Sequence, residues 1–131
     1  MPIEFEISTI IPATPEEIYR AWLSSEGHSA MTGASAEITD QVGAEFEAWD
    51  GYITGRNLEL EPGKRLVQAW RTSEFGEDEP DSRLEGALEP VGDKTKLTLR
   101  HTGLSPGGEQ YKQGWVESYF KPMLEYFTEV L

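Results

Sequence analysis

The chain has 131 residues, 37% of them apolar, and carries 24 acidic against 11 basic side chains for a formal net charge of −13. That length allows one core and one domain, residues 1–131, and a field of that sign repels phosphate backbones and anionic headgroups, which excludes nucleic acid and membrane surfaces as partners. The absence of cysteine removes disulfides, thiol catalysis and thiolate-ligated metal. No apolar run is long enough to span a bilayer, and Met1 is followed by Pro2, Ile3 and Glu4 rather than by a secretory leader, so a cytoplasmic protein is expected. The acids read as a solubilising shell, or more sharply as a surface for a basic protein partner. With 4 Trp, 5 Tyr and 5 Phe, the core is expected to be aromatic-rich.

In chain order, Ile3, Phe5, Ile7 and Ile11 alternate with Glu4, Glu6, Ser8 and Ile10, the period of two of a half-buried strand. Thr14-Pro15-Glu16-Glu17 opens a short helix, with Thr14 as cap, Pro15 in the first turn and Glu17 completing a capping box. Ile18 with Trp22 and Tyr19 with Leu23 give that helix its buried face. Ser24 to Ala36 is rich in Ser, Gly and Ala and is compatible with a second short helix or a loop. The turn dipeptides Asp50-Gly51, Pro62-Gly63 and Gly92-Asp93 then punctuate strands near 37–40, 44–49, 52–61, 65–73, 83–89 and 94–101, with a bulge expected at Gly55. The polar run Glu74 to Ser82 is expected to be a mobile loop.

After the connector Thr102 to Gly108, Tyr111, Trp115, Tyr119, Met123, Phe127 and Val130 form an apolar stripe at helical spacing, so Gly107 to Leu131 is expected to be a long amphipathic helix. Pro122 removes a hydrogen bond to the Ser118 carbonyl and predicts a kink rather than an end, because the stripe continues past it. One strand, a short helical segment, a meander and a final helix make an α+β chain in which that helix must cover one face of an antiparallel sheet. A wedge between helix and sheet that side chains leave unfilled is a natural apolar pocket.

Candidate site residues follow from that geometry. His101 shares a strand face with Leu97 and Leu99 and is expected to point under the helix, whereas His28 is expected to face solvent. Trp49, Tyr52, Trp70, Trp115, Tyr119 and Met123 complete a candidate ligand-binding set with His101. Gln68, beside Trp70, needs a partner such as a ligand or water if it is buried. No carboxylate pair, nucleophile elbow, phosphate-binding loop or metal-ligand spacing stands out, so no catalytic residue, metal or cofactor is assigned.

Phe46 with Asp50-Gly51-Tyr52-Ile53-Thr54-Gly55, Arg65 through Trp70-Arg71, Gly103-Leu104-Ser105-Pro106, and Gly114-Trp115 with Tyr119-Phe120 cover most of the chain. In this set the sequence resembles the activator of heat-shock protein 90 ATPase homologues, in the START-like (SRPBCC, helix-grip) superfamily. Gly43-Ala44 departs from the two glycines often found there, which bears on the local turn alone. The resemblance implies a helix-grip fold, with two short helices after the first strand and a curved antiparallel sheet of about six to seven strands gripping the long C-terminal helix over a cavity. For function, the aromatic stripe facing that curved sheet, set beside the resemblance, points to a non-catalytic domain holding a small apolar or amphipathic molecule. The alternative it offers is a co-chaperone-type module, linked to the stress response, that acts on a heat-shock chaperone; a cyclase- or hydrolase-like enzyme using His101 is a third. The eukaryotic activators that the chain resembles carry an additional N-terminal domain with no counterpart here.

Overall fold

The computed structural model describes residues 3–129, so Val130, the last member of the stripe, lies outside the described residues. The elements are β1 (Ile3–Ile11), α1 (Pro15–Trp22), α2 (Ser25–Thr32), β2 (Glu45–Ala48), β3 (Ile53–Glu61), β4 (Arg65–Thr72), β5 (Ser82–Val91) and β6 (Lys94–Leu104). They are followed by α3 (Gln110–Trp115), a π-helical turn at Val116–Phe120, and α4 (Lys121–Glu129). All strand pairs are antiparallel and the open six-stranded sheet runs β1-β6-β5-β4-β3-β2.

Alternation decides which face is covered. Along β5, Ser82, Leu84, Gly86 and Leu88 face inward, and along β6, Thr95, Leu97, Leu99 and His101 do so. Leu66, Gln68 and Trp70 of β4 extend the same face, and the C-terminal helical stretch lays Trp115, Tyr119, Phe120, Met123 and Phe127 on it. This continuous core explains the fold at once: the helix is amphipathic and the sheet has one apolar face, so each removes the other's apolar area from water.

Local chemistry sets the shorter elements. Thr14 Oγ1 accepts from the Glu17 backbone N–H at 3.2 Å and donates to Glu17 Oε1 at 3.0 Å, which fixes the start of α1. The Ser24–Ala36 segment resolves into helix α2, started by the Ser24 hydroxyl accepting from Gly27 N–H at 2.9 Å and ended by Gly33 in the left-handed region. Gly27 is required there, since a Cβ would stand 2.7 Å from the backbone of Ala21 in α1.

Three expectations need correction. The strand near 37–40 reduces to one isolated bridge, Glu37 to Glu47, because Asn57 uses its side-chain amide on the Thr39 and Gln41 carbonyls and holds that segment as a loop. The register shift of β3 falls between Asn57 and Glu59 rather than at Gly55. Gly55 instead marks a close approach, as a Cβ there would lie 1.9 Å from the Ala69 carbonyl oxygen. In the polar loop from Glu74 to Asp81, which joins β4 to β5, Arg71 donates to the Gly76 and Glu79 carbonyls and pairs with Asp81 at 2.8 Å, with its guanidinium over the Phe75 ring. The final helix starts at Gln110 rather than at Gly107, and its irregularity is the wide turn just before Pro122, where Lys121 N–H bonds to the Val116 carbonyl.

Candidate functional site

A cavity of about 320 Å³ opens where the β2–β3 turn and the end of β4 meet α3 and the π turn. Its sheet wall is Trp49, Tyr52, Ile53 and Trp70; its helix wall is Gln110, Tyr111, Gly114, Trp115, Ser118 and Tyr119. Gly114 presents no side chain to this space, and a Cβ added there would meet nothing within 4 Å. A wider groove of about 730 Å³ lies between α1, the 38–42 segment and the β3–β4 turn, where Glu16, Arg20 and Asp40 are mixed with Leu23, Ile38, Val42 and Leu60, and Tyr19 is its single aromatic residue. The smaller cavity is the better ligand site, being concave and largely aromatic.

Of the seven residues singled out in the sequence, Trp49, Tyr52, Trp70, Trp115 and Tyr119 line this cavity, and His101 and Met123 do not. Both of the latter are fully buried. His101 packs edge-on to Trp70, with ring centroids 4.6 Å apart, and its nitrogens are committed. Trp115 Nε1–H donates to His101 Nδ1 at 3.0 Å, so the imidazole proton sits on Nε2 and is donated to Ser82 Oγ at 2.7 Å. The Ser82 hydroxyl in turn donates to the Trp70 carbonyl at 2.8 Å. Burial without a countercharge lowers the His101 pKa to about 3.

His28 is buried and does not face solvent, because α2 folds back and turns it onto the helix core. Its Nδ1–H donates to the Trp22 carbonyl at 2.9 Å, and Nε2 accepts from the Tyr119 hydroxyl at 2.8 Å. Burial lowers the His28 pKa and raises that of Tyr119. Gln68 finds its partners within the protein, donating to Asn57 Oδ1 at 2.9 Å and accepting a long bond of 3.4 Å from Trp22 Nε1. Sequence reasoning missed Tyr111, Gln110, Gly114 and Ser118 on the helix wall. Tyr111 stood in the apolar stripe without being read as a site residue, while Gln110, Gly114 and Ser118 follow at i, i+4 and i+8 on the adjoining face, which an apolar pattern does not reveal.

The β2–β3 turn is the strained part of the wall. Trp49 and Asp50 have φ of 53° and 57°, and Gly51 follows at 90°. A bulky side chain in that region costs energy and is held by its surroundings. Trp49 Nε1 is also buried without a hydrogen-bond partner among the described residues. Next to it, the Tyr52 hydroxyl donates to Glu74, and partial burial followed by that bond pushes the Tyr52 pKa up to about 12. Across the cavity, the Tyr111 hydroxyl and Thr72 Oγ1 are 2.8 Å apart. Among the described residues, no group of three or more His, Asp or Glu side chains is placed to hold a metal ion.

An open antiparallel sheet gripping a C-terminal helix, with two short helices after the first strand, is the helix-grip or START-like fold. Residues 12–128 match the family described as "Activator of Hsp90 ATPase homolog 1-like protein", and the chain belongs to that family. The human "Activator of 90 kDa heat shock protein ATPase homolog 1" is 30% identical over 115 residues, covering 87% of this chain and 34% of the human protein. The chain thus spans about a third of the length of that curated relative. Among solved structures, an HSP90 activator from Plasmodium falciparum superposes with a TM-score of 0.83 at 23% identity, covering 91% of each chain. The Aha1 dimer from Colwellia psychrerythraea gives 0.74 at 18% identity, covering 87% of this chain and 88% of that one. These structural likenesses speak for the fold.

Proposed function

We propose that residues 1–131 act as one non-catalytic binding unit of the Hsp90-activator-like family, holding a small apolar or amphipathic molecule between sheet and C-terminal helix. The observation that carries this reading is the cavity beneath Gly114, whose volume of about 320 Å³ and six aromatic side chains suit a compact ligand. Trp49, Tyr52, Trp70, Trp115 and Tyr119 touch the ligand, while His101 holds Trp70 and Trp115 from behind. Catalysis by His101 is disfavoured because neither ring nitrogen is free to take or give a proton to a substrate. Titration with the neutral dye Nile red tests the proposal: saturable enhancement of the dye, with quenching of Trp fluorescence, is expected for the native chain. Gly114→Leu, which fills the cavity from an open helix position, should remove it. Dye binding that Gly114→Leu leaves unchanged rules out this cavity as the site.

A second reading rests on the family match: the same unit docks on a heat-shock chaperone, as the name of the human relative suggests. The net charge of −13 favours a basic partner surface. Capture of purified Hsp90 on the immobilised chain, strong at low salt and weaker at high salt, is the expected result. No retention at low salt removes this reading. No helix among the described residues is long and apolar enough to cross a membrane.

A further inference from the structure

We infer that the cavity is an aromatic cage for a small organic cation, a quaternary or tertiary alkylammonium group. This rests on the reading of the cavity as a ligand site and names the chemistry of what fills it.

Six of the ten lining residues are aromatic, and none is Lys, Arg or His. Trp49, Trp70 and Trp115 are the ring type that attracts a cation most strongly over its face, and three tyrosines surround them. The electrostatics point the same way. The Tyr52 hydroxyl donates to the Glu74 carboxylate, which places a negative charge at the rim beside the ring it polarises. Arg71 follows Trp70 in the chain but turns its guanidinium away, toward Asp81 and the carbonyls of the loop between β4 and β5. A ligand carboxylate or phosphate would therefore enter a site with no base to pair with it, inside a protein of net charge −13. An alkylammonium meets the opposite situation: its methyl groups satisfy the apolar lining and its diffuse charge is shared among ring faces. The protonation state of the histidines does not enter, since neither lines the space.

The test uses three probes of one shape and different charge: choline, its neutral isostere tert-butylethanol, and the anion tert-butylacetate. Each is titrated against the full chain with Trp fluorescence and calorimetry as readouts. Choline should bind about threefold to thirtyfold more tightly than the neutral isostere, and the anion should not bind detectably. Trp49→Leu, at a half-buried position and with its folding checked by circular dichroism, should erase most of that preference. Gly114→Leu should abolish binding of both choline and the isostere. Equal affinities for choline and tert-butylethanol overturn the cation assignment and leave the cavity as a neutral apolar site. Binding of Nile red without any binding of choline does the same. Failure of Nile red and of all three probes removes the underlying ligand-site reading as well.

Discussion

His28 and His101 are both buried in this fold, and neither can take a second proton without breaking a hydrogen bond. A proton on His101 Nδ1 would face the Trp115 N–H, and one on His28 Nε2 would face the Tyr119 hydroxyl proton. In the unfolded chain both titrate near their ordinary value of 6.5, whereas folding lowers His101 to about 3 and lowers His28. Stability is therefore complete above pH 6.5 and declines as the pH falls, because the unfolded state binds protons that the folded state refuses. His101 alone should cost about 2 kcal/mol between pH 6.5 and pH 5, at about 1.4 kcal/mol per unit. Urea unfolding at the two pH values measures this, and an NMR titration showing the His101 ring still neutral at pH 5 assigns it. Tyr119→Phe should cost about 1–3 kcal/mol in the same assay by leaving His28 Nε2 without a donor. Gly114→Ala should stabilise by about 0.5–1 kcal/mol, since the helix gains a better former at a position with open space beside it.

At the level of elements, the C-terminal helix explains its own irregularity. Trp115, Tyr119, Met123 and Phe127 repeat every four residues, and all four are buried. An α-helix turns about 100° per residue, so such a stripe would drift by about 40° per step. The wider turn at Val116–Phe120 takes up part of that drift and keeps both ends of the stripe on the sheet. It also sits where the Pro122 ring would otherwise meet the Ser118 carbonyl. The period of four was visible in the sequence, although it was read there only as helical spacing with a proline kink. Strands β3 to β6 were similarly legible, because turn dipeptides and alternation are local signals. Helix α2 was legible only as an alternative, since Ser24, Gly27 and Gly33 act through caps and a close contact rather than through an apolar stripe. The cavity's aromatic wall could be anticipated from the facing stripe, but the burial of His28 could not. That depends on α2 folding onto the C-terminal helix, a contact across 91 positions. Gly55→Ala should be among the costly substitutions of the sheet: with Ala69 O and the Phe46 ring in the way, the β2–β3 hairpin must shift, at about 1–3 kcal/mol or more by urea unfolding.

For the molecule as a whole, the surplus of acid sets the response to salt. The sheet's Arg65 is shared among Glu59, Glu61 and Glu85, and Arg71 is paired with Asp81, so the cations neutralise neighbours without offsetting the remaining charge. Raising ionic strength from low to physiological should raise the melting temperature by screening self-repulsion, as a salt series in differential scanning calorimetry would read. The anchoring of the sheet is also uneven. Strand β2 has four residues, sits at the edge of the sheet, and is held on its outer side by the bridge to Glu37 and, at the turn, by two hydrogen bonds between Asp50 and Ser35. The Trp49 turn hangs from this strand, with its left-handed backbone and its unbonded indole N–H. Its amides should therefore exchange with deuterium well before those of β5 and β6, through an opening that leaves the rest of the protein folded. Such an excursion would bring the indole N–H to water and part the cavity wall at the edge strand while the C-terminal helix keeps its seat on the sheet.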